Sequence, residues 1–322
     1  MNGGTELLPS TDTHDDIKIN NPSLTINYNS PREIKAFMES RLIAMRKKFG
    51  QNFLINPDAR KHLLDALDLS GGEDVWEIGP GLGAMTVGLL ERGLRVKAFE
   101  IDAAFSGILL DMFSSNPAFS LVKGDVMKTW QREEAKGELY LFGNLPYNIG
   151  AALLSDFIEK GRFFKRIVVT VQREVARRMA AKPDTSDYSS FSILCSSVYK
   201  VSLLNIIKGP SFYPAPNVDS QGVRLDLLDP EESVYGKSFA GMFYPLVRGL
   251  FSSRRKTIRN SLSAFIANKN ISTTPSMTAE NIFHKTGISG DRRPETLGIE
   301  DFALIAASLD EVKNEEPKNR EK

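Results

Sequence analysis

Asn144-Leu145-Pro146-Tyr147 follows an apolar run, residues 139–142, that reads as a buried strand leading into a loop. These residue types suit recognition of a flat nitrogenous ring. An Asn carbonyl oxygen accepts a hydrogen bond from an exocyclic amine, Pro holds the turn without needing a backbone donor, and a Tyr face stacks on a base. Alone, the tetrapeptide is equally an ordinary strand-to-turn exit. Upstream stands Glu77-Ile78-Gly79-Pro80-Gly81-Leu82-Gly83. Such a glycine-rich turn lets the backbone approach a ligand closely while the following helix presents free N–H groups. The pair points to methyl transfer onto an amino group of a base, with Asn144, Leu145, Pro146 and Tyr147 at the reacting centre.

A nicotinamide dinucleotide competes for the turn. Glu100 closes the next strand, where a carboxylate can accept from both ribose hydroxyls of an adenosine-bearing cofactor. Asp125 ends the strand after that, where an adenine amine needs an acceptor. Either acid could instead be a plain strand-end polar residue. The dinucleotide fingerprint sets its third glycine one residue later than Gly83, and nothing in the chain reads as nicotinamide machinery. S-adenosylmethionine is therefore the expected cofactor.

Composition narrows the remaining classes. The chain has 322 residues, 41% of them hydrophobic, enough for a full core and two domains. It has no apolar run near the roughly eighteen residues of a membrane span, and its acidic N-terminus does not read as a secretory signal. One cysteine, Cys195, excludes an intramolecular disulfide and fits a cytoplasmic protein. Three scattered histidines argue against a His-based metal cluster or nucleophile triad, so no metal is expected. Net charge is +1, but residues 160–182 hold eight Lys or Arg and a single acid, Glu174. Arg248, Arg254, Arg255, Lys256 and Arg259 form a second basic cluster. Each run alone could be a solvated helix face; together they favour a polyanion-binding surface.

The elements that must hold these residues alternate. Strands are expected at 74–78, 95–100, 119–123, 139–142 and 167–171, with helices between them, and a closing antiparallel hairpin at 201–207 and 221–228. That pattern predicts an α/β, Rossmann-like doubly wound sheet with ligands at the carboxyl ends of its strands. After Pro230 the apolar spacing is helical only, with Pro245 kinking a helix or marking its first turn. The expected organisation is a flexible or loosely docked extension over 1–40 with a helix starting near Pro31, a cofactor-binding domain over 41–230, a smaller helical RNA-binding domain over 235–310, and a charged tail over 311–322.

Five blocks carry a resemblance from about Arg46 to Ala307: Lys47-Lys48-Phe49-Gly50-Gln51-Asn52-Phe53-Leu54, the Glu77 to Gly83 turn, Asn144 to Tyr147, Phe212 to Ser220, and Arg254-Arg255-Lys256-Thr257-Ile258-Arg259-Asn260-Ser261-Leu262. In order and spacing the chain resembles the bacterial dimethyladenosine transferases of small-subunit ribosomal RNA, which are class I methyltransferases. The resemblance implies cofactor contacts at Asn52, Leu54, Gly79, Gly81, Glu100, Asp125 and Asn144. It places the target adenine between the Asn144 to Tyr147 loop and the ring of Phe212; the basic cluster itself makes Arg254, Arg255, Lys256 and Arg259 the expected phosphate contacts of the helical domain. It further implies two adjacent adenosines in a 3′-end hairpin of 16S rRNA, dimethylated on N6 by a monomer acting on the immature 30S subunit. Asn217 stands where that family usually carries Lys. Related readings are a large-subunit RNA methyltransferase, an assembly factor built on the same fold, and a DNA adenine methyltransferase, whose platform usually carries a second proline or an acid.

Overall fold

A computed structural model gives the structure of residues 26–45, 50–134, 137–231 and 241–320. Short β-rich segments separated by amphipathic helices leave both faces of each central strand to be covered. The strands accordingly form one seven-stranded sheet with helices on both sides. In chain order the elements are α1 (Pro31–Ser40), β1 (Phe53–Leu54), α2 (Pro57–Ala66), β2 (Asp74–Ile78), α3 (Ala84–Glu91), β3 (Arg95–Glu100), α4 (Ala103–Phe113), β4 (Phe119–Lys123), α5 (Val126–Thr129), β5 (Leu139–Asn144), α6 (Gly150–Glu159), β6 (Arg166–Gln172), α7 (Arg173–Ala180), α8 (Ser190–Ser196), β7 (Tyr199–Ile207), β8 (Phe212–Tyr213) and β9 (Ser220–Leu227). The C-terminal helices are α9 (Phe243–Phe251), α10 (Ile258–Asn268), α11 (Pro275–Thr286) and α12 (Ile299–Arg320).

The sheet order is β4-β3-β2-β5-β6-β9-β7, parallel through β6 and antiparallel at β9 and β7. The chain runs outward from β2 through β3 to β4, then returns to lay β5 on the other side of β2. That reversal opens a crevice at the carboxyl ends of β2 and β5, the place where open α/β sheets bind ligands.

Side chains alternate across the strands and build two cores. Trp76, Leu141 and Val169 face α6 and α8, in a core continuous with Leu246, Leu262 and Phe302 of the C-terminal helices. Val75, Phe142 and Val168 face the opposite way, against Leu64, Leu89 and Phe105. Pro245 lies in the first turn of α9, where a missing N–H costs nothing. Tyr188 Oη donates to the Leu297 carbonyl at 2.9 Å and joins the loop before α8 to the start of α12.

Two terminal expectations change. Residues 26–40 are not loosely docked: Ser30 caps α1, and Ile26, Ile34 and Met38 bury in the second core. Apolar residues four apart give α1 one inward face, which a polar average over forty residues conceals. Residues 1–25 lie outside the described part. At the other end α12 continues to Arg320, so the charged segment starts as helix; Val312 packs on the core and Glu311 pairs with Lys285.

Candidate active site

The parallel register sets Glu77 beside Phe142, so the segments leaving β2 and β5 emerge side by side. Gly79, Gly81, Glu100, Asn52, Leu54, Asn144, Leu145, Pro146 and Tyr147 all line one cavity in that crevice. The glycine turn and the Asn-Leu-Pro-Tyr loop therefore share a face, as the proposed chemistry requires.

The loop is fixed from several sides. Leu145 donates its N–H to the Thr170 carbonyl at 3.0 Å, and the Pro146 carbonyl accepts from Ile149 and Gly150, both at 3.1 Å. Asn144 Nδ2 donates to the backbone carbonyl of Asn52 at 2.8 Å. A carbonyl has only lone pairs to offer, so the amide nitrogen must face it, and Oδ1 is left as the acceptor. Asn52 is thus a backbone anchor for Asn144, a coupling that spacing alone could not reveal. Tyr147 Oη and Ser220 Oγ share a hydrogen bond of 2.5 Å, tying the loop to the start of β9. Burial raises the Tyr147 hydroxyl pKa, partly offset by Ser220.

The opposite wall carries the acids. Glu100 Oε2 accepts from Gly81 N–H at 3.1 Å and Oε1 from Asp102 N–H at 2.8 Å. Burial pushes its carboxyl up to about 7 despite those donors. Glu77, 2% exposed, accepts from Thr86 Oγ1 at 2.6 Å, and burial pushes it up to about 8, with the Glu100 charge adding to the shift. Gly79 holds φ +67, a left-handed conformation that a side chain strains, and a Cβ there would approach Pro146 across the cavity. At Gly81 a Cβ would stand 3.0 Å from the Phe53 ring. This donor set suits a cationic nucleoside: carboxylate oxygens with lone pairs to spare, bare backbone, and apolar walls from Leu54, Leu82 and Phe105.

Both acids carry folded-state pKa values above the ordinary glutamate value, so folding favours their protonated forms. Their contribution is present at low pH and is lost as pH rises toward about 7 and about 8. The thermal midpoint measured without cofactor is expected to fall more steeply between about pH 5 and about pH 8 in the wild type than in Glu77→Gln. Parallel slopes for the two proteins would remove the buried-acid account.

Other residues lie elsewhere than expected. Asp125 caps α5, its Oδ1 accepting from Met127 N–H at 3.0 Å, outside the cavity lining. Gly124 bonds the Glu100 carbonyl and keeps Asp125 on the same sheet edge. Phe212 is a correction. It pairs with Leu54 in the two-stranded β1–β8 ribbon, is 3% exposed, and packs in the second core rather than lining the cavity. Pairing turned its ring inward, so in this arrangement it supports β1 instead of facing a base. Residues 46–49, which include Lys47, Lys48 and Phe49, lie outside the described part. Sequence reasoning missed α2 and its Arg60, which donates to the Leu54 carbonyl at 2.8 Å.

The basic surface also divides. Arg254, Arg255 and Lys256 are exposed in the turn between α9 and α10 and form no ion pair with a described residue. Arg259 instead pairs with Glu280 and Asp291 and sits over the Phe283 ring at 5.9 Å, holding α10 to α11. In the 160–182 run, Lys160, Lys165, Arg166 and Arg177 pair with Asp156, Glu138, Asp226 and Asp187. Arg248 of the second cluster pairs with Glu159. Much of the predicted polyanion surface is therefore internally neutralised.

The profile of a family described as "Ribosomal RNA adenine dimethylase" matches residues 43–309. The chain belongs to that family. A relative from Treponema denticola, named Ribosomal RNA small subunit methyltransferase A, is 41% identical over 285 residues, covering 87% of this chain and 94% of the relative. Among solved structures, a dimethyladenosine transferase from Plasmodium falciparum superposes with a TM-score of 0.69 at 24% identity, covering 80% of this chain and 97% of that one. The 23S rRNA methyltransferase ErmE superposes at 0.56 with 21% identity, over 80% of this chain and 99% of its own. Those two likenesses confirm the class I methyltransferase fold with its helical C-terminal region. As a ribosomal RNA adenine dimethylase, the protein takes S-adenosylmethionine as methyl donor.

Proposed function

We propose that the protein dimethylates N6 of two adjacent adenosines in the 3′-terminal hairpin of small-subunit (16S) ribosomal RNA, acting as a cytoplasmic monomer on the immature 30S subunit. The observation that carries this reading is the orientation of Asn144: its amide nitrogen is committed to Asn52, and its oxygen remains to accept from an amine. The small-subunit target is supported by the 41% identity to the Treponema relative of that name, with only fold-level likeness to the large-subunit enzyme.

The cofactor supplies a sulfonium-bound methyl, already a strong electrophile. What remains for the chain is orientation. An adenine N6 lone pair is normally delocalised into the ring. Accepting its N–H bonds at Asn144 Oδ1 and the Leu145 carbonyl favours a pyramidal nitrogen with its lone pair free to attack. Positioning of this kind supplies up to roughly 7–11 kcal/mol in the best intramolecular cases. After attack the alkylated nitrogen is acidic and loses its proton to solvent, so no strong base is required. Glu100, on the cavity wall, holds the ribose end.

Tyr147 stacks on the target base, and its bond to Ser220 sets the ring plane. Tyr147→Ala is expected to lower kcat/KM by about ten- to a hundredfold, matching roughly 1–3 kcal/mol per stacked base. Tyr147→Phe keeps the ring and should lose only a fewfold. Equal losses in a single-turnover assay would assign the effect to the hydroxyl.

The deciding experiment incubates immature small subunits with the protein and labelled cofactor, then maps the labelled bases. Adjacent dimethyladenosines near the 3′ end are expected. Label confined to large-subunit RNA, or absent from adenine N6, overturns the proposal.

A further inference from the structure

The segment before α1 reaches the cofactor crevice. Tyr28 and Ile34 line the same cavity as Gly79, Glu100 and Asn144. Tyr28 Oη donates to the Leu82 carbonyl at 2.8 Å, and Leu82 lies between the two left-handed glycines Gly81 and Gly83. Arg60 reaches the Tyr28 carbonyl at 3.5 Å and the Leu54 carbonyl at 2.8 Å, and it also bonds Asn29 Oδ1. One guanidinium therefore ties the N-terminal segment to β1, which itself lines the cavity. α1 is anchored beyond this point by buried Ile34 and Met38 and by an Arg41–Asp111 ion pair of 3.6 Å to α4. The family match begins at residue 43, so Tyr28 and Ile34 precede it.

We propose that Tyr28 is a positioning residue for S-adenosylmethionine: its ring walls the cavity and its hydroxyl, bound to the Leu82 carbonyl, holds the glycine-rich turn in the shape that receives the cofactor. The inference rests on this cavity being the cofactor site. Physically, a turn of three glycines has more conformational freedom to lose on binding than any other backbone. A side chain that fixes its carbonyl beforehand lowers that cost. Burial and the nearby Glu77 carboxylate raise the Tyr28 hydroxyl pKa, keeping it a donor across the working pH range.

The test is calorimetric titration of the full chain with S-adenosylhomocysteine, alongside thermal melts without ligand and steady-state kinetics. Tyr28→Phe removes only the donor and is expected to raise Kd, and KM for the cofactor, about tenfold, the scale of one hydrogen bond. kcat should stay near wild type. Tyr28→Ala should weaken binding further, while Lys35→Ala, on the exposed side of α1, should match wild type. Glu100→Ala tests the site itself. If Glu100→Ala loses binding while both Tyr28 variants bind as wild type, the Tyr28 role is overturned and the site stands. If Glu100→Ala binds normally, the site assignment fails instead. A lowered melting point in Tyr28→Phe with unchanged Kd marks a merely structural contact and also overturns the proposal.

Discussion

Asn144→Ala is expected to reduce methyl transfer by at least about a thousandfold, some 4 kcal/mol of barrier, while the melting temperature shifts little. The residue is only half-buried, and its strand is held by backbone pairing on both sides, so truncation leaves the sheet intact. What disappears is the single acceptor that Asn52 orients. Asn144→Asp sharpens the argument. An aspartate keeps acceptor oxygens but cannot donate to the Asn52 carbonyl, so two lone-pair-bearing groups would face each other and the side chain would turn away. Both variants should be nearly inactive in a labelled-methyl assay, yet bind S-adenosylhomocysteine measurably. Near-normal turnover by Asn144→Ala would end the assigned role. Substantial activity in Asn144→Asp would show that an acceptor suffices without the anchor.

Removing three charges at once should have the next largest effect. Arg254→Ala, Arg255→Ala and Lys256→Ala combined are expected to weaken RNA binding on the order of a hundredfold near physiological salt. They should also flatten the slope of log K against log salt by about two to three, since each lost phosphate contact removes about 0.7–0.9. Arg259→Ala should behave differently. Its guanidinium is engaged by Glu280 and Asp291, so the slope should barely move, and a small loss should appear in thermal stability instead, because solvent screens these exposed pairs. Filter binding across a salt series separates the two. An unchanged slope in the triple variant would remove this turn from the RNA interface.

Much of the fold was legible because its signals are local. Strands 74–78, 95–100 and 119–123 were predicted with the bounds observed. Strand-forming residues, helical spacing and the Gly, Asp and Asn punctuation between them all act on chain neighbours. The short ribbon of β1 and β8 gave no such signal, because two residues carry no periodicity. Its pairing turned Phe212 into the core and corrected the expected clamp. The Asn144–Asn52 bond spans ninety-two residues, and no spacing rule reaches that far.

By itself the sequence determined the alternating architecture, the glycine turn, the Asn-Leu-Pro-Tyr platform and the order of the five blocks, since each depends on residues close together in the chain. Only the tertiary structure decided that Arg259 is spent on carboxylates, that residues 26–40 close against the crevice, and that Asn144 presents its oxygen rather than its nitrogen. Those outcomes depend on which distant groups meet. A charge or an amide shows its chemistry only when its partner is in place.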